Sequence, residues 1–129
     1  MPTLIPYIVF SGNCRKALDF YCNVFNGTIQ SIETFDDSPI PVDAENAKRI
    51  FDSEFFANGI HFKASDDLPE HKVTKGTNIS MFVAFDDMLF RKEAFEKLAE
   101  HGKVLFELNE NFGMVKDPFG IQWMFTINT

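Results

Sequence analysis

The sequence predicts an α+β fold built from two βαβββ modules, and three observations carry that prediction. Helical spacing of apolar residues occurs twice, first from Cys14 to Phe25 and again through Phe90, Ala94, Phe95, Leu98 and Ala99. The order strand, helix, three strands runs through the chain twice. The residues repeat as well: Asn58-Gly59-Ile60-His61-Phe62-Lys63-Ala64 matches Phe119-Gly120-Ile121-Gln122-Trp123-Met124-Phe125 in position and pattern. A half of this kind cannot close a sheet alone, whereas pairing the halves buries both. One composite domain over residues 1–129 is therefore expected, with module one at about 1–66, a linker at 67–77 and module two at about 78–129.

Each element has its own signature. Ile5 to Phe10 is a short apolar run of strand formers, closed by Ser11-Gly12. Asn13 stands at a helix N-cap position, Ala17, Leu18, Tyr21, Val24 and Phe25 follow the helical period, and Asn26-Gly27 supplies a left-handed stop. Thr28 to Phe35 alternates loosely as a strand. Asp36 to Ala47 has two prolines, four acids and no period, so it reads as a loop. Arg49–Ala57 and Ile60–Ser65 are strands joined by Asn58-Gly59, the strongest short hairpin signal. Beyond the polar segment 66–77, Asn78–Phe85 is a strand and Asp86-Asp87 offers a cap. The second helix follows, ended by Gly102. Lys103–Leu108, Met114–Lys116 and Ile121–Ile127 complete the second module, the last strand entered through Asp117-Pro118-Phe119-Gly120.

Composition narrows the function classes. Of 129 residues, 45% are hydrophobic and 24% charged, a globular balance that excludes fibrous and wholly disordered readings. Sixteen phenylalanines can fill a core of this size without a staple. The net charge of −7 and the absence of a long Lys/Arg cluster argue against nucleic acid as partner. No apolar run approaches a membrane span, and Met1-Pro2-Thr3-Leu4 has no signal-peptide character, so a cytoplasmic address is expected. Cys14 and Cys22 on one helix would stand ~12 Å apart along its axis, beyond the ~7 Å limit for a disulfide, and read as reduced thiols. No Gly-rich phosphate loop, Ser/His/Asp set or CxxC occurs.

Pro-Tyr-Ile-Val-Phe (6–10), Asn-Cys-Arg-Lys-Ala-Leu-Asp-Phe-Tyr (13–21), Val-Phe-Asn-Gly (24–27) and Asp-Pro-Phe-Gly (117–120), set in this order of elements, resemble the vicinal oxygen chelate superfamily. That superfamily includes glyoxalase I, bleomycin-resistance and fosfomycin-resistance proteins and extradiol dioxygenases. The resemblance is closer still to its PhnB-like branch and covers essentially the whole chain. It implies a curved mixed sheet with helices outside and a central cup, in which relatives hold a metal through His, Gln or Glu. The corresponding positions here are Pro6, Lys63, Ser80 and Met124. Proline has no side-chain donor and an ammonium repels a divalent cation, so neither a metal nor another cofactor is expected. The branch also carries the name of a ubiquinone-biosynthesis methyltransferase, but no glycine-rich methyl-donor motif follows any strand.

Hairpin geometry sorts the side chains of the first module. With a two-residue Asn58-Gly59 turn, Phe56 opposes His61, Phe55 opposes Phe62 and Glu54 opposes Lys63, and opposed residues share a face. Ser53, Phe55, Phe62 and Ala64 should then pack under a helix, while Asp52, Glu54, Phe56, His61 and Lys63 face the cup. By the repeat, Gln122, Met124 and Thr126 face the cup and Trp123 and Phe125 the helix. Ser80 adds a hydroxyl, and Ile8, Phe10, Phe82 and Met124 apolar walls. Tyr7 is expected in the core. Glu54–Lys63 is expected to form a cross-strand ion pair. Many PhnB-like relatives have a His where Asp52 stands. His61, His71 and His101 lack metal-ligand spacing.

The expected ligand site is thus Phe10, Asp52, Glu54, His61, Lys63, Ser80, Phe82, Gln122 and Met124, with no metal. It suits a small polar or zwitterionic molecule carrying an apolar part. The expected function is small-molecule binding, with a metal-dependent or acid/base lyase, isomerase or transferase using Asp52 and Glu54 as the alternative. A homodimer is expected, because open sheets leave strand edges that need cover.

Overall fold

Both helices form where apolar residues recur on one face. In the computed structural model, which describes residues 1–128, α1 spans Cys14–Phe25 and buries Cys14, Ala17, Leu18, Tyr21, Val24 and Phe25. The second helix, α2, spans Met88–Ala99 and buries Arg91, Ala94, Phe95 and Leu98. The chain divides into two compact units, Met1–Val73 and Thr74–Thr129.

In the first unit, β1 (Tyr7–Phe10), β2 (Thr28–Thr34), β3 (Ile50–Ala57) and β4 (Ile60–Asp66) form a mixed sheet ordered β1-β4-β3-β2. The hairpin β3–β4 has the expected register, with Glu54 opposite Lys63, Phe55 opposite Phe62 and Phe56 opposite His61. Gly59 in the turn has φ +81°, the left-handed region that glycine enters without strain. Ser53, Phe55, Phe62 and Ala64 are fully buried. Tyr21 of α1 meets Phe62 edge-on at 5.7 Å, and Phe62 stacks on Phe55 at 4.7 Å, so the core of this unit lies between α1 and the sheet.

Two local expectations change. The N-terminus of α1 is capped across the fold: Asp66 Oδ1 accepts from the amides of Gly12 and Cys14, while the Asn13 side chain caps nothing. Asp66 Oδ2 accepts from Ile50 N, so one buried carboxylate ties helix, β3 and β4 together. The segment read as an aperiodic loop carries two 3-10 turns, Phe35–Asp37 and Ala44–Asn46, pinned by Phe35 N to Arg49 O and Asp36 N to Ala47 O. Both cysteines are free.

In the second unit, β5 (Met81–Phe85), β6 (Lys103–Phe106), β7 (Phe112–Lys116) and β8 (Gln122–Ile127) form a sheet ordered β5-β8-β7-β6, the same topology as the first. Asp87 caps α2, accepting from Leu89 N and Phe90 N. The Asp-Pro-Phe-Gly turn rests on its buried aspartate: Asp117 accepts from the amides of Phe119 and Ile121 and from the Trp123 indole, the last at 2.9 Å. Trp123 and Phe125 are fully buried on the helix side, as the repeat predicts. Among the described residues, no helix is long and apolar enough to cross a membrane.

Candidate functional site

Parallel pairing of β1 with β4 decides which side chains share the sheet face opposite α1. Tyr7 stands beside Lys63, and Ile8 beside Ala64. Tyr7 therefore joins the Lys63 face, while Ile8 and Phe10 point to the helix side. Three expectations are corrected by this register, the first being Ile8, which leaves the walls of the site for the helix side. Tyr7 is 47% exposed rather than core, and Phe10 is 4% exposed in the core rather than a wall of the site. The residue of β1 beside Lys63 is Tyr7 and not Pro6.

The face carries five polar side chains in two hydrogen-bonded groups. Tyr7 Oη donates to Asp52 Oδ1 at 2.9 Å, and Lys63 Nζ donates to Asp52 Oδ2 at 3.0 Å, so Asp52 is held at both oxygens. His61 Nε2 lies 2.7 Å from Glu54 Oε2, and the His61 ring stacks on Phe56 at 4.1 Å. The ion pairs are diagonal, Lys63 with Asp52 and His61 with Glu54, instead of the directly opposed Glu54–Lys63 pair. Diagonal neighbours ~7–8 Å apart on a sheet are within reach of long side chains. His61 takes Glu54 at close range, which leaves Lys63 to Asp52.

These groups are about two-thirds buried at the side-chain level, with exposures of 30–34% across both pairs. The hydrogen bond it donates to Asp52 is the main influence holding the Lys63 ammonium above its ordinary pKa, with partial burial opposing it. Burial raises the Tyr7 hydroxyl, the neighbouring Asp52 carboxylate adds to the rise, and Ser65 and Lys63 oppose it. At neutral pH the face therefore presents a phenol and an ammonium as fixed donors. One of the three ammonium hydrogens is used on Asp52, and the remaining ones can reach another acceptor.

The remaining expected site residues lie in the second unit. Gln122 is buried and uses its amide internally, donating to Thr77 O at 3.1 Å, with Ile79 O and Ser80 Oγ at 3.4 Å. It thereby fixes the approach to β5. Ser80 precedes that strand, and its Oγ accepts from Gln122 Nε2. Phe82 and Met124 oppose each other in register, and Met114 of β7 opposes Met124 from the other side. Phe82 is 63% exposed. Within the repeat, Tyr7, Glu54 and Lys63 correspond to Phe82, Met114 and Met124. The same three sheet positions are charged or hydroxylic in one unit and apolar in the other.

Tyr7 is the site residue that sequence reasoning missed. Its signal was the alternation Tyr7/Val9 against Ile8/Phe10, which separates two faces without saying which is which. Only the register with β4 decides that.

A family model described as 3-demethylubiquinone-9 3-methyltransferase matches residues 2–126. Protein PA1353 of Pseudomonas aeruginosa has a similar structure, with TM-score 0.88 and 29% identity over 99% of this chain and 98% of that one. The PhnB protein of Bacillus cereus gives 0.83 and 25%, over 98% of this chain and 100% of its own. FosX, a fosfomycin resistance protein of Listeria monocytogenes complexed with Mn(II) and 1S,2S-dihydroxypropylphosphonic acid, shares the fold at TM-score 0.70 and 12% identity. That likeness covers 100% of this chain and 94% of FosX. With a family match that runs from residue 2 to residue 126, the chain belongs to the PhnB-like family, the one described as 3-demethylubiquinone-9 3-methyltransferase.

Proposed function

We propose that the protein binds a small anionic or zwitterionic molecule on the Tyr7–Asp52–Lys63 face, without a metal. The observation that carries this reading is the Lys63 ammonium: oriented by Asp52, two-thirds buried, and with donors left over. A preoriented, partly desolvated ammonium gives charge-assisted hydrogen bonds to carboxylate or phosphonate at little ordering cost. The phenol of Tyr7 and the Glu54–His61 pair supply further polar anchors, and the stacked Phe56 an apolar one. FosX, which shares the fold, was crystallised with a phosphonic acid, a ligand of this size class.

The donor set does not suit a divalent cation. Lys63 and Tyr7 stand side by side in the first unit, and the corresponding positions of the second hold Met124 and Phe82. An ammonium repels the ion and a phenyl ring offers it nothing. Among the described residues, no group of three or more His, Cys, Asp or Glu side chains is placed to hold a metal ion.

The test is a calorimetric titration with phosphonoacetate, benzoate and a neutral amide, run on wild type and on Lys63→Met. Binding of the anions should weaken about tenfold or more in the variant, the scale of one lost charge-assisted hydrogen bond. Unchanged anion affinity, or near-stoichiometric zinc, manganese, nickel or iron in protein purified without chelators, overturns the proposal.

We further propose a homodimer. Each four-stranded sheet ends on two edge strands, and Phe82 and Phe106 are 63% and 54% exposed, which favours cover by a second copy. A monomer mass by light scattering at micromolar concentration refutes it.

A further inference from the structure

The buried series of α1 begins with Cys14 and continues through Ala17, Leu18 and Tyr21; that of α2 begins with Arg91 and continues through Ala94, Phe95 and Leu98. A guanidinium thus occupies a helix position that the heptad-like spacing reserves for an apolar side chain. Arg91 is only 2% exposed. Its Nη2 donates to Asn109 O at 2.6 Å, with Glu110 O at 3.4 Å and Met88 Sδ at 3.7 Å. Its Nε and Nη1 are buried and have no acceptor. Among the described residues no carboxylate lies within ion-pairing distance of it. Arginine keeps its charge in proteins, so this is a buried cation with two idle nitrogens and no counter-ion. Such an arrangement is strongly unfavourable unless an anion completes it.

Arg91 lines a groove of about 640 Å³ between α2 and the connection from β6 to β7. The other walls are mainly apolar, from Leu89, Phe95, Val104 and Leu108. That volume is in the range of small-molecule sites, ~300–1,000 Å³. Glu107 and Glu110 also line the groove, and both are exposed. We propose that this groove is a second ligand site, distinct from the Lys63 face. It takes an organic monocarboxylate whose apolar body lies along α2 and whose carboxylate accepts from the Arg91 guanidinium. Apart from Arg91, the groove carries three carboxylates, Glu96, Glu107 and Glu110, against the one ammonium of Lys92, a net negative lining that disfavours a dicarboxylate of the same length.

The experiment is calorimetric titration of the full chain with sodium octanoate, 2-naphthoate, 1-octanol and disodium suberate, with amide chemical shifts recorded on the same additions. The two carboxylates distinguish an aliphatic from an aromatic body. At least one of them should bind about tenfold or more tightly than octanol and suberate, the scale of a charge-assisted hydrogen bond. Its shifts should concentrate at residues 88–99 and 104–110. Arg91→Met should remove the preference for carboxylate over octanol. If that variant does not fold, Leu89→Glu replaces it. Leu89 is 63% exposed, and a carboxylate there should weaken binding of the preferred carboxylate by a similar factor without touching the core. Neither carboxylate binding, equal binding of carboxylate and octanol, or shifts confined to β3 and β4 overturns the proposal.

Discussion

Replacing Phe62 by alanine tests the face assignment on which both the core and the candidate site depend. Phe62 is fully buried, stacks on Phe55 with ring centroids 4.7 Å apart, and receives the edge of Tyr21 at 5.7 Å. Removing a fully buried phenyl ring costs about 3–5 kcal/mol, the lost transfer energy plus the cavity left behind. Two aromatic contacts, each worth roughly 0.5–1.5 kcal/mol beyond area, push the value to the upper half of that range. Domains of this size are stable by only about 5–15 kcal/mol, so the variant should be marginal. Urea unfolding followed by circular dichroism should show the midpoint falling while the slope stays constant. Leu4→Ala is the control, since a side chain 90% exposed should change stability by less than about 1 kcal/mol. A Phe62→Ala loss below about 1 kcal/mol would mean the two faces of the sheet are interchanged, and the Lys63 face would then be the core.

Three other outcomes follow from the same geometry. Asp66→Ala removes acceptors from Gly12, Cys14 and Ile50 and strands buried amides; it should cost roughly 2–4 kcal/mol by urea unfolding, with Asp66→Asn milder because one oxygen remains. Burial pushes the Cys14 thiol up to about 12, aided by Asp66, and burial also raises Cys22. Neither should therefore react readily with a thiol reagent at pH 8 in native protein, and both should react in urea; fast native labelling of Cys14 contradicts this. The raised Lys63 value gives stability that is complete below the ordinary lysine pKa of 10.5 and lost as pH rises through the folded value. With a third of the side chain exposed, that contribution should stay under about 1 kcal/mol. Lys63→Met should flatten the alkaline end of the stability profile by that amount, and an unaltered profile counts against the pair.

What could be read from sequence was what local chemistry determines. Asn58-Gly59 dictates a two-residue hairpin, and from that turn every opposed pair of β3 and β4 follows by counting, including the burial of Phe55 and Phe62. The helices were legible because α1 and α2 repeat their apolar residues at helical spacing. Failures occur where a partner distant in sequence decides. Whether Tyr7 or Phe10 faces α1 depends on the parallel register of β1 with β4, more than fifty residues away, and no turn links those strands. The cap of α1 comes from Asp66 instead of the adjacent Asn13 for the same reason. Ion-pair choice was illegible for another reason: Lys63 has two carboxylates within reach, and His61 removes one of them. Arg91 reads as an exposed helix charge until Asn109 and Glu110 fold over it.

The duplication makes the division of labour within each sheet visible. Phe62 and Trp123 occupy corresponding positions, as do Ala64 and Phe125, and all four are fully buried. A helix must be covered in each unit, so those positions are bound to apolar residues whatever the protein does. The opposite face has no helix to satisfy, and there the two units diverge, with Tyr7, Glu54 and Lys63 in one and Phe82, Met114 and Met124 in the other. A change from polar to apolar side chains on the face free of packing demands is what selection on a ligand, rather than on stability, would produce. On the face of the first unit, recognition is therefore separable from packing by mutation. Lys63→Met should lower affinity for a small carboxylate without the stability loss of Phe62→Ala.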